Sequence, residues 1–188
     1  VGHGTLRWNQ TEVITAPSVY FGRGNATGVL EVPAGGQFLL GTAAAPITNL
    51  RIAYNDALHG TATAHLDFSQ TNPTFTAFIA SDLSIGRETG ATGGGVTVAN
   101  GSLTLGSNSS LTLGSAAAPA ALNIGWSQNT NFASGANGRA TGVFDALEAG
   151  AVLELNLSEL NVGRGSTFGV GHGALRWKYG RSSRSGAA

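Results

Sequence analysis

The chain has no cysteine and no methionine, and its single lysine, Lys178, stands against nine arginines. Without cysteine there is no disulfide, no thiol nucleophile and no cysteine-held zinc, and both export and cytosol stay open as compartments. Ten basic residues balance ten acidic ones, and charged side chains make up only 11% of the sequence. Nothing resembles the basic stripe that a phosphate backbone demands, so nucleic acid is not an expected partner. No run of eighteen apolar residues occurs, so no membrane-spanning helix is expected, and no basic-then-apolar leader is present. A methionine-free chain that begins at Val1 inside a repeat-like phrase reads as a mature product or as a piece of something longer.

What the chain does have is glycine, 29 residues of 188, and a 41% hydrophobic content that can fill a core. It also has self-similarity. A block opens at Tyr20-Phe21-Gly22-Arg23, again at Ser84-Ile85-Gly86-Arg87, and a third time at Asn161-Val162-Gly163-Arg164. After the first two openings the same succession follows: GNATGVLEV, FLLGTAAAPITNLRIAYN and TATAHLDF in one, TGATGGGVTV, LTLGSAAAPAALNIGWSQ and RATGVFDA in the other. Repetition at a long fixed period marks a stacked architecture in which no unit buries its apolar face alone.

The recurring phrase is an alternating apolar pair closed by glycine, as in Leu83-Ser84-Ile85-Gly86, Leu111-Thr112-Leu113-Gly114 and Leu122-Asn123-Ile124-Gly125. Alternation sends both aliphatics to one face of a strand, and the glycine permits a positive-φ turn. Ile85, Leu105, Ile124, Val143 and Val162 follow at 20, 19, 19 and 19 residues. That rhythm predicts an all-β fold, a right-handed parallel β-helix (β-solenoid) with about 19–20 residues per coil and eight or nine coils. One domain is expected over 1–177, with internal repeats at about 20–83 and 84–160 and a third copy starting at 161. Residues 178–188 read as a polar tail or linker. The second copy is longer, 77 residues against 64, through an extra unit near 103–110 and about five residues around 133–137.

The stretches IGRETGATGGGVTVANGSLTLG and FGRGNATGVLEVPAGGQFLLG resemble the glycine-rich repeats of bacterial autotransporter passengers and of related surface proteins with PEP-CTERM-type sorting signals. The TAAAP and SAAAP phrases and LDFSQTNPTFTA depart from that pattern. The resemblance implies an exported β-solenoid displayed outside the cell or on its surface, and it brings no catalytic residues with it.

Candidate chemistry is sparse. Gly22 to Gly28 has the look of a phosphate loop, yet Val29-Leu30-Glu31-Val32 after it reads as a strand where such a loop needs a helix. Asp67 and Asp145 occupy equivalent places, about four predicted coils or roughly 19 Å apart, too far to share one bond. Of the four histidines, His3, His59, His65 and His172, the pair His59 and His65 sits six apart around a corner with no carboxylate flanking it in a metal spacing. No catalytic residue, metal site or cofactor is therefore expected, and no enzyme. Arg23, Arg87 and Arg164 each follow the turn glycine and form a candidate anion-binding row. Tyr54 and Trp126 are equivalent and form a candidate glycan-stacking pair.

The ends carry one more echo. Val1-Gly2-His3-Gly4-Thr5-Leu6-Arg7-Trp8 returns as Val170-Gly171-His172-Gly173-Ala174-Leu175-Arg176-Trp177, 169 residues later. With matching termini and no amphipathic cap, the expected partner is the chain itself, stacked head to tail. The residues expected at that contact are Val1, His3, Leu6, Trp8, Val170, His172, Leu175 and Trp177. The function so indicated is a structural surface layer, stalk, filament or adhesin. Binding of surface glycans along a lateral face, or less readily their cleavage, is the alternative.

Overall fold

The computed structural model describes residues 1–57, 59–69, 73–89, 96–130 and 138–178. Among them lie fifteen strands and no α-helix, hence no helix long and apolar enough to cross a membrane. In chain order they are β1 (Gly2–Arg7), β2 (Val13–Ile14), β3 (Ser18–Arg23), β4 (Ala26–Glu31), β5 (Gln37–Leu40), β6 (Ile47–Asn55), β7 (Gly60–Asp67) and β8 (Thr74–Glu88). These are followed by β9 (Thr97–Thr104), β10 (Ser109–Leu113), β11 (Ala120–Ser127), β12 (Gly138–Ala146), β13 (Val152–Leu155), β14 (Leu157–Val162) and β15 (Gly169–Trp177). The tail at 179–188 and the insertion at 133–137 lie outside the described residues.

Every pairing between these strands is parallel. A first stack runs β1-β4-β7-β9-β12-β15. The other sheet is two stacks that share β8: β2-β5-β8-β10-β13 through its first half, and β3-β6-β8-β11-β14 through its second. The chain visits first, second and third stack in that order five times, then places β15 on the first.

Register corrects the expected 19–20-residue repeat. Leu50, Leu83, Leu122 and Leu160 stack in register on the third stack, at intervals of 33, 39 and 38 residues. The five complete layers therefore replace the eight or nine coils expected. The misreading has a physical cause: strands of all three stacks need apolar alternation, so in the layer of β9, β10 and β11 the phrase occurs three times, closed by Gly106, Gly114 and Gly125. Ile85, Ile124 and Val162 belong to the third stack, whereas Leu105 and Val143 belong to or adjoin the first. Val143 also faces outward; Gly142 and Phe144 beside it point in.

The core is built of aligned columns. Val19, Leu50, Leu83, Leu122 and Leu160 form one, and Phe21, Ile52, Ile85, Ile124 and Val162 the next. On the second stack Phe75 lies 4.4 Å from the ring of Phe68, with Phe38 beside both. Burying one such side chain contributes about 1.5–3 kcal/mol.

Glycine has two jobs, and they meet. Gly22, Gly86, Gly125 and Gly163 hold φ between 63° and 69° at one level of the third stack, where Ala53 takes the fifth place at φ 55°. Facing them on the first stack are Gly28, Gly101, Gly142 and Gly173, and a Cβ on any of these would overlap the backbone nitrogen of the glycine opposite. Here two sheets touch backbone to backbone. The TAAAP and SAAAP phrases form matching corner turns: Thr42 and Ala45, and likewise Ser115 and Ala118, exchange backbone hydrogen bonds of 3.0 and 3.2 Å.

Candidate functional site

The outer surface of the third stack collects the five side chains singled out from sequence as anion-binding or glycan-stacking candidates, Arg23, Tyr54, Arg87, Trp126 and Arg164. The phrases YFGR, RIAY, SIGR, NIGW and NVGR lie one above another. Each places an apolar residue inward, then the positive-φ glycine or alanine, then an outward arginine or aromatic. The order along the stack is Arg23, Tyr54, Arg87, Trp126, Arg164. The proposed anion row and the proposed glycan pair are one alternating ladder.

The alternation is a set of cation–π contacts. The guanidinium of Arg87 sits 4.4 Å from the Trp126 ring centre, and that of Arg164 sits 4.8 Å from the same ring. Since their strands lie on opposite sides of β11, the indole is flanked on both sides. Tyr54 has Arg51 at 4.5 Å and Arg87 at 5.9 Å. Tyr20 meets Arg23 at 4.7 Å and Arg51 at 5.5 Å. A sugar ring that stacked on Tyr54 or Trp126 would have to displace a guanidinium.

The arginines also have carboxylates. Arg23 pairs with Asp56 at 2.8 Å, Arg164 with Glu159 at 2.8 Å, and Arg87 lies 3.6 Å from Asp82. Each arginine of the row thereby has a carboxylate near it, and Arg87 shares that of Asp82 with Arg51. Asp82, only 8% exposed, is the centre of the array. It accepts hydrogen bonds from Arg51 Nε at 3.0 Å, Ser84 Oγ at 3.0 Å and Asn123 Nδ2 at 2.8 Å. From there Asn161 donates to Asn123 at 2.7 Å, and Arg164 donates to Asn161 at 3.0 Å. A carboxylate this enclosed is stable only because its lone pairs are satisfied. At Arg51 burial lowers the pKa, but the hydrogen bond and charge of Asp82 outweigh it and the net shift is upward. The exposed Arg23 is also raised, through its hydrogen bond to Asp56.

Asp67 and Asp145 share a column on the first stack with Thr104 between them. They stand two layers, about 10 Å, apart along the stack, not the roughly 19 Å expected. Asp145 pairs with Arg176 at 3.0 Å, and Asp67 accepts from Ser69 Oγ at 2.6 Å.

The matching octets occupy the two opposite edges of the first stack. Val1-to-Trp8 contributes β1 on β4, and Val170-to-Trp177 lies along β12. His3 pairs in register with Thr27, and His172 with Thr141. Leu6, Val1 and Val170 are exposed, Leu175 is half-buried, and Trp177 is 55% exposed. Trp8 differs from Trp177: it packs edge-on against Phe38 at 6.0 Å. Sequence reasoning missed Tyr20, Arg51, Asp82, Asn123 and Asn161. Aligning all five glycine or alanine phrases as one series, rather than as two classes, would have found four of them. Comparison of the chain with protein-family models, curated proteins and solved structures finds no match.

Proposed function

We propose that the chain winds as a right-handed parallel β-helix, one coil per three-strand layer, and serves as an exported structural unit that builds a filament, stalk or surface layer. The winding is supported by the fixed order in which the stacks are visited, and its hand by the general preference of parallel crossovers. Export and display rest on the resemblance to autotransporter-type repeats.

One observation carries the structural reading. The core columns run to an uncovered end: Leu50, Leu83 and Leu122 are 0% exposed, while Leu160, next in the same column, is 50% exposed. Val162 repeats this at 42%, beside a buried Ile124. An open strand edge over uncovered aliphatics is a template for another chain. The lateral face favours the same reading, since its aromatics and arginines are committed to one another. Negative-stain electron microscopy over a concentration series is the test. Fibres one chain wide that lengthen with concentration are expected, and discrete rods at every concentration would overturn the proposal.

A further inference from the structure

We infer that two copies join by exchanging a strand: β1 of the incoming copy takes the place of β15, so that the joint holds one VGHGxLRW strand where simple abutment would hold two. This rests on the head-to-tail reading above and specifies its contact.

The layer arithmetic comes first. The described strands make five complete layers, and β15 is the lone strand of a sixth. If β1 of a second copy simply abutted β15, its β2 and β3 would stand one layer, about 4.8 Å, too far from β13 and β14. Leu160 and Val162 would stay uncovered. If β1 instead lies directly on β12, all three stacks close together. Val19 then covers Leu160 and Phe21 covers Val162, which continues both core columns in the register seen between every other pair of layers.

Sequence makes the substitution possible. The octets differ only at Thr5 against Ala174, and Ala174 stands at an outward position opposite Val143. Leu6 can replace Leu175 over Phe144, and Gly4 can replace Gly173, where a Cβ would overlap the backbone of Gly163. Charge separates the two joints. Abutment in register would set Arg7 on Arg176 and His3 on His172. Exchange sets Arg7 between Asp145 of one copy and its own Glu31, to which it is bonded at 2.7 Å. Exchange sets Arg164 beside Arg23, and each already has its carboxylate.

β15 is the strand that leaves, because β1 is pinned by Trp8 against Phe38 whereas Trp177 is exposed.

The test uses the absence of native cysteine. Neighbouring strands place in-register Cα atoms within disulfide range. Under exchange, the pair Thr5→Cys and Val143→Cys links copies in fibres under mild oxidant, and Thr5→Cys with Ala174→Cys does not. The reverse pattern overturns exchange but leaves head-to-tail assembly standing. Absence of fibres from the unmodified chain overturns the assembly reading itself. The unmodified fibre gives an independent answer should the cysteine variants not fold. Its axial repeat is expected to be about 24 Å, five layers, and a repeat of about 29 Å, six layers, would refute exchange.

Discussion

Leu83 and Leu160 occupy the same column, in the same phrase, on the same stack, yet one is sealed and the other is half in water. The ladder outside repeats the contrast: Arg87 has an aromatic ring on either side, Tyr54 and Trp126, whereas Arg164 has Trp126 alone among the described contacts. Chemistry does not distinguish the members of each pair; the number of neighbouring layers does. In a stacked fold a residue's contribution is set by what lies above and below it, so identical phrases are worth more in the middle than at the end. An interior layer should therefore be sensitive where an end layer is forgiving.

The largest effect is expected at Asp82. Asp82→Ala strips the acceptor from Arg51, Ser84 and Asn123 together, and leaves Arg51 largely enclosed without its counter-charge. A loss of about 3–5 kcal/mol is expected from breaking a buried pair on one side. Urea denaturation of the unassembled chain reads it directly. The control is the Arg7–Glu31 pair at the open edge, both members exposed, where Glu31→Ala should leave the midpoint near that of the parent. Equal losses at both sites would contradict the layer argument.

Next in size is the contrast within the aliphatic column. Leu83→Ala opens a cavity between two covered layers and should cost about 2–5 kcal/mol. Leu160→Ala in the unassembled chain should cost about 1 kcal/mol or less, because much of that side chain is already solvated. The order should change once fibres form. If Leu160 becomes interior at a joint, Leu160→Ala should raise the critical concentration for assembly about tenfold or more, read by sedimentation. A Leu160→Ala chain that assembles like the parent would mean that the open column is not the contact.

Much of this arrangement was legible in the residues. The glycine-closed phrases announced strands and positive-φ turns, and Gly86, Gly114, Gly125 and Gly163 have that backbone; Gly106, in the same phrase, instead packs where a Cβ would overlap the carbonyl oxygen of Phe68. The TAAAP and SAAAP phrases stood at matching places in the two copies, and both fold as corner turns. What misled was the 19-residue spacing, because it joined Ile85 and Val143, which lie on different stacks and face opposite ways. Register was out of reach for a simple reason: a strand that slips by one residue turns its whole inward set outward, and nothing within a single phrase fixes its partner. The Asp82 network depends on register alone. Asp82, Arg51 and Asn123 come from three layers, and only the vertical alignment brings them together.

A smaller but more discriminating effect than those at Asp82 and Leu83 concerns Trp126. As a sugar platform it could be removed without harm to the fold, and glycan retention would vanish. As a rung of the ladder it holds Arg87 and Arg164 by cation–π contact, each worth about 0.5–1 kcal/mol at a partly exposed site. Trp126→Ala should therefore lower stability by about 1–2 kcal/mol in urea, and Trp126→Phe, which keeps a ring between the same two guanidinium groups, should recover roughly half of it. Arg87 has a second hold, two donors on Gln128 Oε1 at 3.0 and 3.1 Å, so it should keep its place in either variant. Arg164 has no aromatic partner besides Trp126 among the described contacts, so loosening of the ladder should appear first at the open end. A Trp126→Ala chain of parent stability that no longer binds a glycan array would move the function from the ends of the molecule to its flank.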